Sequence, residues 1–352
     1  MAEPIVKFDN VSIVFGDQPK RALPLIDQNR NRTEIQQECG QILGVANCSL
    51  EIEEGEVLVL MGLSGSGKST LLRAVNALNP VVRGSVSVRC PDNNGLSTWR
   101  DPHACSKAEL RELRLDWVSM VFQQFGLLPW RTVEENVGFG LELAGRDKAE
   151  AKRKVGEQLE LVGLADWAGK RVQELSGGMQ QRVGLARAFA TDAPILLMDE
   201  PYSALDPLIR ARLQDELIDL QRRLKRTIIF VSHDLDEAIK IGSRIAIMEG
   251  GRIIQVGTAQ EILTKPANEY VADFVAHMNP LAVLRAGEAM QKTKARKRGH
   301  AKAQAVPRDT SLSDIMRLQL DTGLPVYVEE KGRILGLVEA EDVHRALLNR
   351  LS

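Results

Sequence analysis

The sequence predicts an α/β chain: a parallel sheet covered by helices on both faces, followed by a smaller α+β module. Three observations carry this expectation. Short apolar runs (Val57 to Met61, Ile195 to Met198) and the β-branched run Thr227 to Ser232 read as buried strands. They alternate with helical stretches of roughly 10 to 15 residues, the signature of crossover-connected parallel strands. After Tyr270 to Met278 the composition shifts to a basic tract, and a second set of short elements begins.

Taken in order, Ile5 to Phe15 alternates loosely between apolar and polar residues and reads as a first strand. An insert, Gln18 to Gly44, contains Thr33-Glu34-Ile35-Gln36, which predicts a capping box opening a short helix that Gly40 or Gly44 would end. Val57 to Met61 is the first fully buried strand, and Thr70 to Leu78 an apolar helix. Gly145 to Lys170 is charged and helix-forming, and predicts a helical subdomain inserted between two sets of strands. Helix-like sequence resumes at Asp234. Lys292, Lys294, Arg296, Lys297 and Arg298 form a cationic run that reads either as a solvated linker or as a segment resting on anionic lipid. Beyond it, Ser311 to Leu318 predicts a helix. Pro325 to Glu329 and Ile334 to Val338 predict a strand pair around Lys331-Gly332, and Glu341 to Leu348 a closing helix.

A length of 352 residues accommodates about two domains. With 44% apolar and 26% charged residues the chain is not disordered as a whole, and its apolar runs are far shorter than the roughly 20 residues of a membrane span. A net charge of -1 advertises no pull toward nucleic acid, and no nucleic-acid partner is expected. Cys39, Cys48, Cys90 and Cys105 show no metal-ligand spacing and read as buried free thiols. The first residues lack a signal-peptide pattern, so a reducing cytoplasm fits best.

Gly62-Leu63-Ser64-Gly65-Ser66-Gly67-Lys68-Ser69 fits GxxxxGK[ST], directly after a buried strand and directly before a helix. That context predicts a P-loop. Its glycines let backbone N–H groups wrap phosphates, the helix N-terminus at Thr70 adds its positive end, Lys68 places a cation on the β- and γ-phosphates, and the Ser69 hydroxyl ligates Mg²⁺. ATP and Mg²⁺ are the cofactors implied. Asp199 and Glu200 close the strand Ile195 to Met198: Asp199 is placed to hold Mg²⁺, Glu200 to polarise a water. Ser176, Gly177 and Gly178 open a further helix and offer a second anion-binding N-terminus, far in sequence from Lys68.

Leu175-Ser176-Gly177-Gly178-Met179 followed by Gln180-Gln181-Arg182 resembles the signature motif of ATP-binding cassette (ABC) ATPases. Gln123 in Val121-Phe122-Gln123 is similar to the family's Q-loop, Ser203-Ala204-Leu205-Asp206 to its D-loop and His233 in Val231-Ser232-His233-Asp234 to its switch histidine. The resemblance spans Ile5 to Met278. It implies a nucleotide-binding domain over 1–278, with a β-subdomain, a RecA-like core, a helical subdomain at about 100–190 and an unusual insert at 16–46. In the family the signature completes the P-loop site of a second copy, so Ser176, Gly177, Gly178 and Asp206 would face nucleotide in a homodimer. Gln123 would sense Mg²⁺ and the attacking water, and His233 would contact the γ-phosphate. Phe15 stands where an adenine-stacking aromatic is usual, though a core position in the first strand reads equally. Trp130 lies where a permease docks, with local packing as its other reading.

The insert, the P-loop run and the stretches Asp199 to Arg210 and Ser232 to Ala238 resemble the ATPase subunits of quaternary-amine importers, which take up glycine betaine, choline or proline betaine. The resemblance implies a motor peripheral to the cytoplasmic face of the membrane. Its partners would be permease subunits and an extracytoplasmic binding protein. Asp309 to Leu348 resembles one CBS motif, giving a basic linker at 279–306 and a CBS-like module at 307–352. Leu127 to Val133 is closer to nitrate, taurine and sulfonate importers. Aromatic residues are only 4% of the chain, so a cage for a quaternary ammonium would belong to a partner. An importer of another solute, a soluble ABC ATPase and a P-loop kinase are the other readings.

Overall fold

The computed structural model describes residues 3–91, 97–203, 205–276, 280–293 and 303–348. These divide into two compact units, 1–256 and 257–352.

The first unit contains two sheets. One is antiparallel, in the order β2-β1-β4-β5, from β1 (Pro4–Phe15), β2 (Ile42–Glu53), β4 (Arg83–Pro91) and β5 (Ser97–Arg100). The other has the order β10-β9-β3-β8-β7-β6, from β3 (Val57–Met61), β6 (Val118–Val121), β7 (Ile195–Asp199), β8 (Thr227–Val231), β9 (Arg244–Glu249) and β10 (Arg252–Gly257). Every pairing from β9 through β3, β8 and β7 to β6 is parallel. Strands buried on both faces read as unbroken apolar runs, and all residues of β3, β7 and β8 are buried. Parallel pairing also sends the carboxyl ends of β3, β8, β7 and β6 to one edge of the sheet. Four adjacent loops emerge there, each carrying one of the motifs read from the sequence.

Between β6 and β7 the chain is mainly helical, including Lys148–Leu161, capped by Asp147, and Gly177–Ala190, capped by Ser176. Within the interval expected to be helical, β6 belongs to the parallel sheet. Two local expectations are corrected. The insert helix runs Arg32–Cys39 with its capping box on Asn31 and Glu34, two residues before the predicted Thr33 start, and ends at Gly40 in the left-handed conformation. The helix expected over Thr70 to Leu78 is assigned only as Lys68–Leu72, with turns beyond it that reach Ala77 at φ 53.

The second unit holds a sheet in the order β11-β14-β13-β12, from β11 (Gln291–Lys292), β12 (Ala305–Pro307), β13 (Val326–Glu330) and β14 (Arg333–Val338). Helices Leu312–Thr322 and Ala340–Leu348 accompany it, over a core that includes Leu312, Ile315, Val326, Val328, Val338 and Val343. The predicted strand pair and closing helix appear within one residue of their expected ends, while the helix expected to stop at Leu318 runs one turn further, to Thr322. The division into compact units falls at 256/257, and in the second unit helix Ala259–Thr264 packs with Glu269–Val275 and with Pro280–Val283. Of the cationic run only Lys292 is described; Lys294 to Arg298 lie outside the described residues. Among the described residues no helix is long and apolar enough to cross a membrane. The four cysteines are free; Cys48 and Cys90 are buried as expected, whereas Cys39 and Cys105 are half-buried. Burial pushes the Cys48 thiol up to about 12, so it stays protonated and unreactive.

Candidate nucleotide site

The turn after β3 is built for backbone approach. Gly62 (φ +141), Gly65 (φ +78) and Gly67 (φ +105) occupy conformations that L side chains rarely adopt. Space enforces the same choice: a Cβ on Gly62 would stand 2.1 Å from the Met248 carbonyl oxygen, and one on Gly67 2.6 Å from that of Gly44. Ser64 and Gly65 are exposed at the mouth, while Ser66, Gly67 and Lys68 are buried. Lys68 is only 5% exposed, and its Nζ donates to the carbonyls of Gly62 at 2.8 Å and Leu63 at 3.1 Å. Burial lowers its pKa, while the nearby Glu200 and Asp199 charges pull the other way. The buried Ser66 Oγ has no hydrogen-bond partner. A cradle that any Cβ would fill, a caged ammonium and an orphan hydroxyl fit a polyphosphate.

Asp199, at the end of β7, is fully buried and reaches back to the helix after the P-loop. Ser69 Oγ donates to its Oδ1 at 2.6 Å, and Arg73 donates to its Oδ2 through Nε at 3.1 Å and Nη2 at 2.7 Å. The hydroxyl and carboxylate form a hard-oxygen pair suited to Mg²⁺, which takes few protein ligands and completes its shell with phosphate and water.

Glu200 occupies the left-handed region at φ 47. Its N–H donates to the Val231 carbonyl at 3.2 Å, and its own carbonyl accepts from the Ser203 N–H at 3.3 Å. The tight turn aims the carboxylate between two neighbouring loops. Gln123 Nε2, from the loop after β6, donates to Glu200 Oε2 at 3.1 Å, and His233 Nδ1, after β8, lies 3.5 Å from the same oxygen. His233 is 63% exposed at its side chain against 19% for Glu200, so the imidazole faces outward while the carboxylate is held. Behind this loop, Ser232 Oγ bonds Glu237 Oε2 at 2.5 Å and Gln214 Nε2 donates to Glu237 Oε1 at 3.0 Å.

Phe15 ends β1 at 36% exposure. A Cβ on Gly44 would meet the Phe15 Cε2 and the Thr70 methyl carbon, each at 2.9 Å, so the ring borders the same corner as the first turn after the P-loop. The signature stands apart. Ser176 Oγ accepts from the Met179 N–H at 3.4 Å as an N-cap, Ser176 and Gly177 are exposed, and no hydrogen bond joins Ser176, Gly177 or Gly178 to the P-loop among the described residues. Asp206 caps helix Pro207–Leu224, accepting from Ile209 N–H at 3.0 Å; Ala204 of the same loop lies outside the described residues. The sequence reading missed Arg73, whose signal was its place one turn after Ser69 on the predicted helix, and Arg32.

Comparison with known proteins agrees with this geometry. The ABC transporter profile matches residues 45–203, and a CBS domain profile matches 301–349. The glycine betaine transport ATP-binding protein OpuAA of Bacillus subtilis is 43% identical over 99% of this chain and 79% of its own length. The glycine betaine/proline betaine transport system ATP-binding protein ProV of Escherichia coli is 45% identical over 97% and 82%. Among solved structures, the dimeric post-hydrolysis state of the ATP-binding cassette MJ0796 bound to ADP and phosphate superposes with a TM-score of 0.60 and 30% identity, covering 72% of this chain and 98% of that one. A phosphate cradle, an acidic strand end and a histidine beside it on one sheet edge, with relatives this similar along nearly the whole chain, lead to one conclusion: the chain belongs to the ATP-binding cassette transporter family and is one of its ATPase subunits.

Proposed function

We propose that this chain is the ATP-hydrolysing motor of an importer for glycine betaine or a related quaternary amine, acting at the cytoplasmic face of a membrane as a homodimer that closes on ATP. The convergence of Gln123 and His233 on one oxygen of Glu200, beside the Ser69–Asp199 pair, carries the hydrolytic part. Lys68 and the loop N–H groups bind the phosphates; Ser69, Asp199 and Gln123 would hold Mg²⁺, which would supply neutralisation of the phosphate charge. Glu200 orients and deprotonates the attacking water, and His233 meets the γ-phosphate from the exposed side. Phe15 stacks on adenine.

The exposed Ser176 and Gly177, with half-buried Gly178 next to them, support a site completed by a second copy, to which Asp206 would also contribute. Trp130 is 66% exposed, and its carbonyl accepts from Arg171 Nη1 at 3.1 Å. Val133 N–H likewise donates to the Lys170 carbonyl at 2.8 Å. The same helical region carries a groove of about 340 Å³ lined by Glu134, Val155, Leu159 and Ala168. An exposed aromatic on a loop whose backbone is tied supports permease docking. Substrate capture is assigned to an extracytoplasmic binding protein, and the relatives' names support the betaine reading.

Uptake of radiolabelled glycine betaine, choline, taurine and nitrate by proteoliposomes holding the chain with its co-purified permease tests this. Glycine betaine or choline should accumulate only with ATP and only with intact Glu200. Accumulation of taurine or nitrate alone would overturn the substrate, and the absence of any permease after purification would overturn the importer.

A further inference from the structure

Arg32 opens the insert helix Arg32–Cys39, a segment that the nucleotide-site motifs leave without a task. Its position is unfavourable on local grounds, because a cation at the first turn of a helix faces the positive end of the dipole. Its neighbour Arg30 pairs with Glu34 at 3.7 Å and Glu38 at 3.8 Å, whereas among the described residues no carboxylate lies within ion-pair distance of Arg32. Burial lowers the Arg32 pKa, and its Nε is buried without a partner. The guanidinium is directed instead at backbone: Nη1 donates to the Gly65 carbonyl in the P-loop, and Nη2 to the Gly44 carbonyl of β2 at 2.6 Å. Nη2 also lies 3.4 Å from where a Cβ on Gly67 or Gly251 would stand.

The planar fork thus bridges the P-loop, β2 and the turn after β9. In a trans peptide the carbonyl and the following N–H point opposite ways. The Gly65–Ser66 peptide is therefore pinned at both ends, its carbonyl by Arg32 and its N–H by the Leu63 carbonyl at 3.1 Å. We infer that Arg32 is a positioning residue for ATP binding: from the insert, it fixes the P-loop backbone in the shape that receives the nucleotide's phosphates. A loop fixed in advance loses less freedom on binding, and the gain appears in affinity rather than in the chemical step.

The inference rests on the P-loop being the nucleotide site, so Lys68→Ala is measured alongside. Equilibrium binding of MgATP and of inorganic tripolyphosphate to the full chain is compared with steady-state ATPase kinetics. Arg32→Ala should weaken both ligands alike by roughly tenfold, the scale of one lost hydrogen bond from a charged donor, and raise KM with kcat little changed. Arg32→Lys, a point charge without the fork, should recover only part of this. Should Arg32→Ala not fold, Arg32→Gln gives the same comparison. Wild-type affinity in Arg32→Ala with binding lost in Lys68→Ala overturns the positioning role. So does a lowered melting temperature with unchanged affinity, or a loss confined to ATP and absent for tripolyphosphate. Wild-type affinity in Lys68→Ala would instead overturn the nucleotide site itself.

Discussion

The P-loop and the signature are both turns that open a helix, and they could hardly be finished more differently. Around Gly62 to Ser69 the backbone is closed in: three glycines at positive φ, a lysine caged by two carbonyls, and carbonyl oxygens that would collide with a Cβ on Gly62 or Gly67. Around Ser176 to Gly178 the turn is open, and a Cβ on Gly177 would meet nothing within 4 Å. Both helix ends attract anions, but only one is shaped by its own chain. The open one takes its shape constraint from whatever meets it, which is the physical content of a shared site.

The largest expected effect comes from Glu200, the carboxylate proposed to polarise the attacking water. Glu200→Gln should lower ATP hydrolysis by on the order of 10² to 10⁴, the usual worth of a general base, and leave ATP binding intact. An ATP-held dimer should then persist in size-exclusion chromatography; near wild-type turnover would remove Glu200 from its role. Next, Lys68→Ala should lose nucleotide binding in the isolated chain, whereas Ser176→Arg should bind ATP normally and fail only to dimerise and hydrolyse. Mixing these two variants should restore some activity through heterodimers with one intact site. Single-turnover measurements showing no recovery would break the division of labour between the turns.

Smaller effects sharpen the same contrast. Gly67→Ala forces a side chain into a left-handed position against the Gly44 carbonyl and should cost about 1 to 3 kcal/mol of stability in urea unfolding. Gly177→Ala should stay within about 0.5 kcal/mol and lower only the two-chain ATPase. Equal destabilisation by both would erase the distinction. Smallest is Glu237, behind the switch loop. Burial holds its carboxyl above the ordinary range, although Ser232 and Gln214 pull it down. A carboxyl raised in the folded state favours folding below its unfolded value, about 4.3, and that contribution is lost as pH rises through the folded value. Glu237→Gln should therefore flatten stability against pH just above the ordinary carboxylate range. An unchanged pH profile would show that the buried group does not titrate there.

What the sequence made legible was whatever chain-local chemistry enforces. Unbroken apolar strands announce a buried parallel sheet, and the motif at each strand end announces a loop. Parallel pairing then brings Gln123, Glu200 and His233 to one place without further instruction. Contacts between distant segments were not legible. Arg73 reads as a helix-surface arginine until Asp199, 126 residues away, closes on it, and Arg32 reads as a solvated charge until β2 brings Gly44 and the P-loop alongside. The insert helix began early because Asn31 competes with Thr33 for the same capping role and has Glu34 at the right spacing. Composition likewise does not record which side a short helix chooses: Ala259–Thr264 finds its packing partners downstream, in Glu269–Val275 and Pro280–Val283.

The left-handed backbone at Glu200 has a consequence for how this protein can be improved. Glycine is the residue that such a position would accept at least cost, and strain of this kind is worth on the order of 1 kcal/mol. A screen for thermal stability alone would therefore favour Gly at position 200 and discard the carboxylate proposed to polarise water in the same step. Engineering for robustness and selection for turnover point in opposite directions at this single residue, so any stabilised variant of the chain has to be chosen with hydrolysis as a co-requirement.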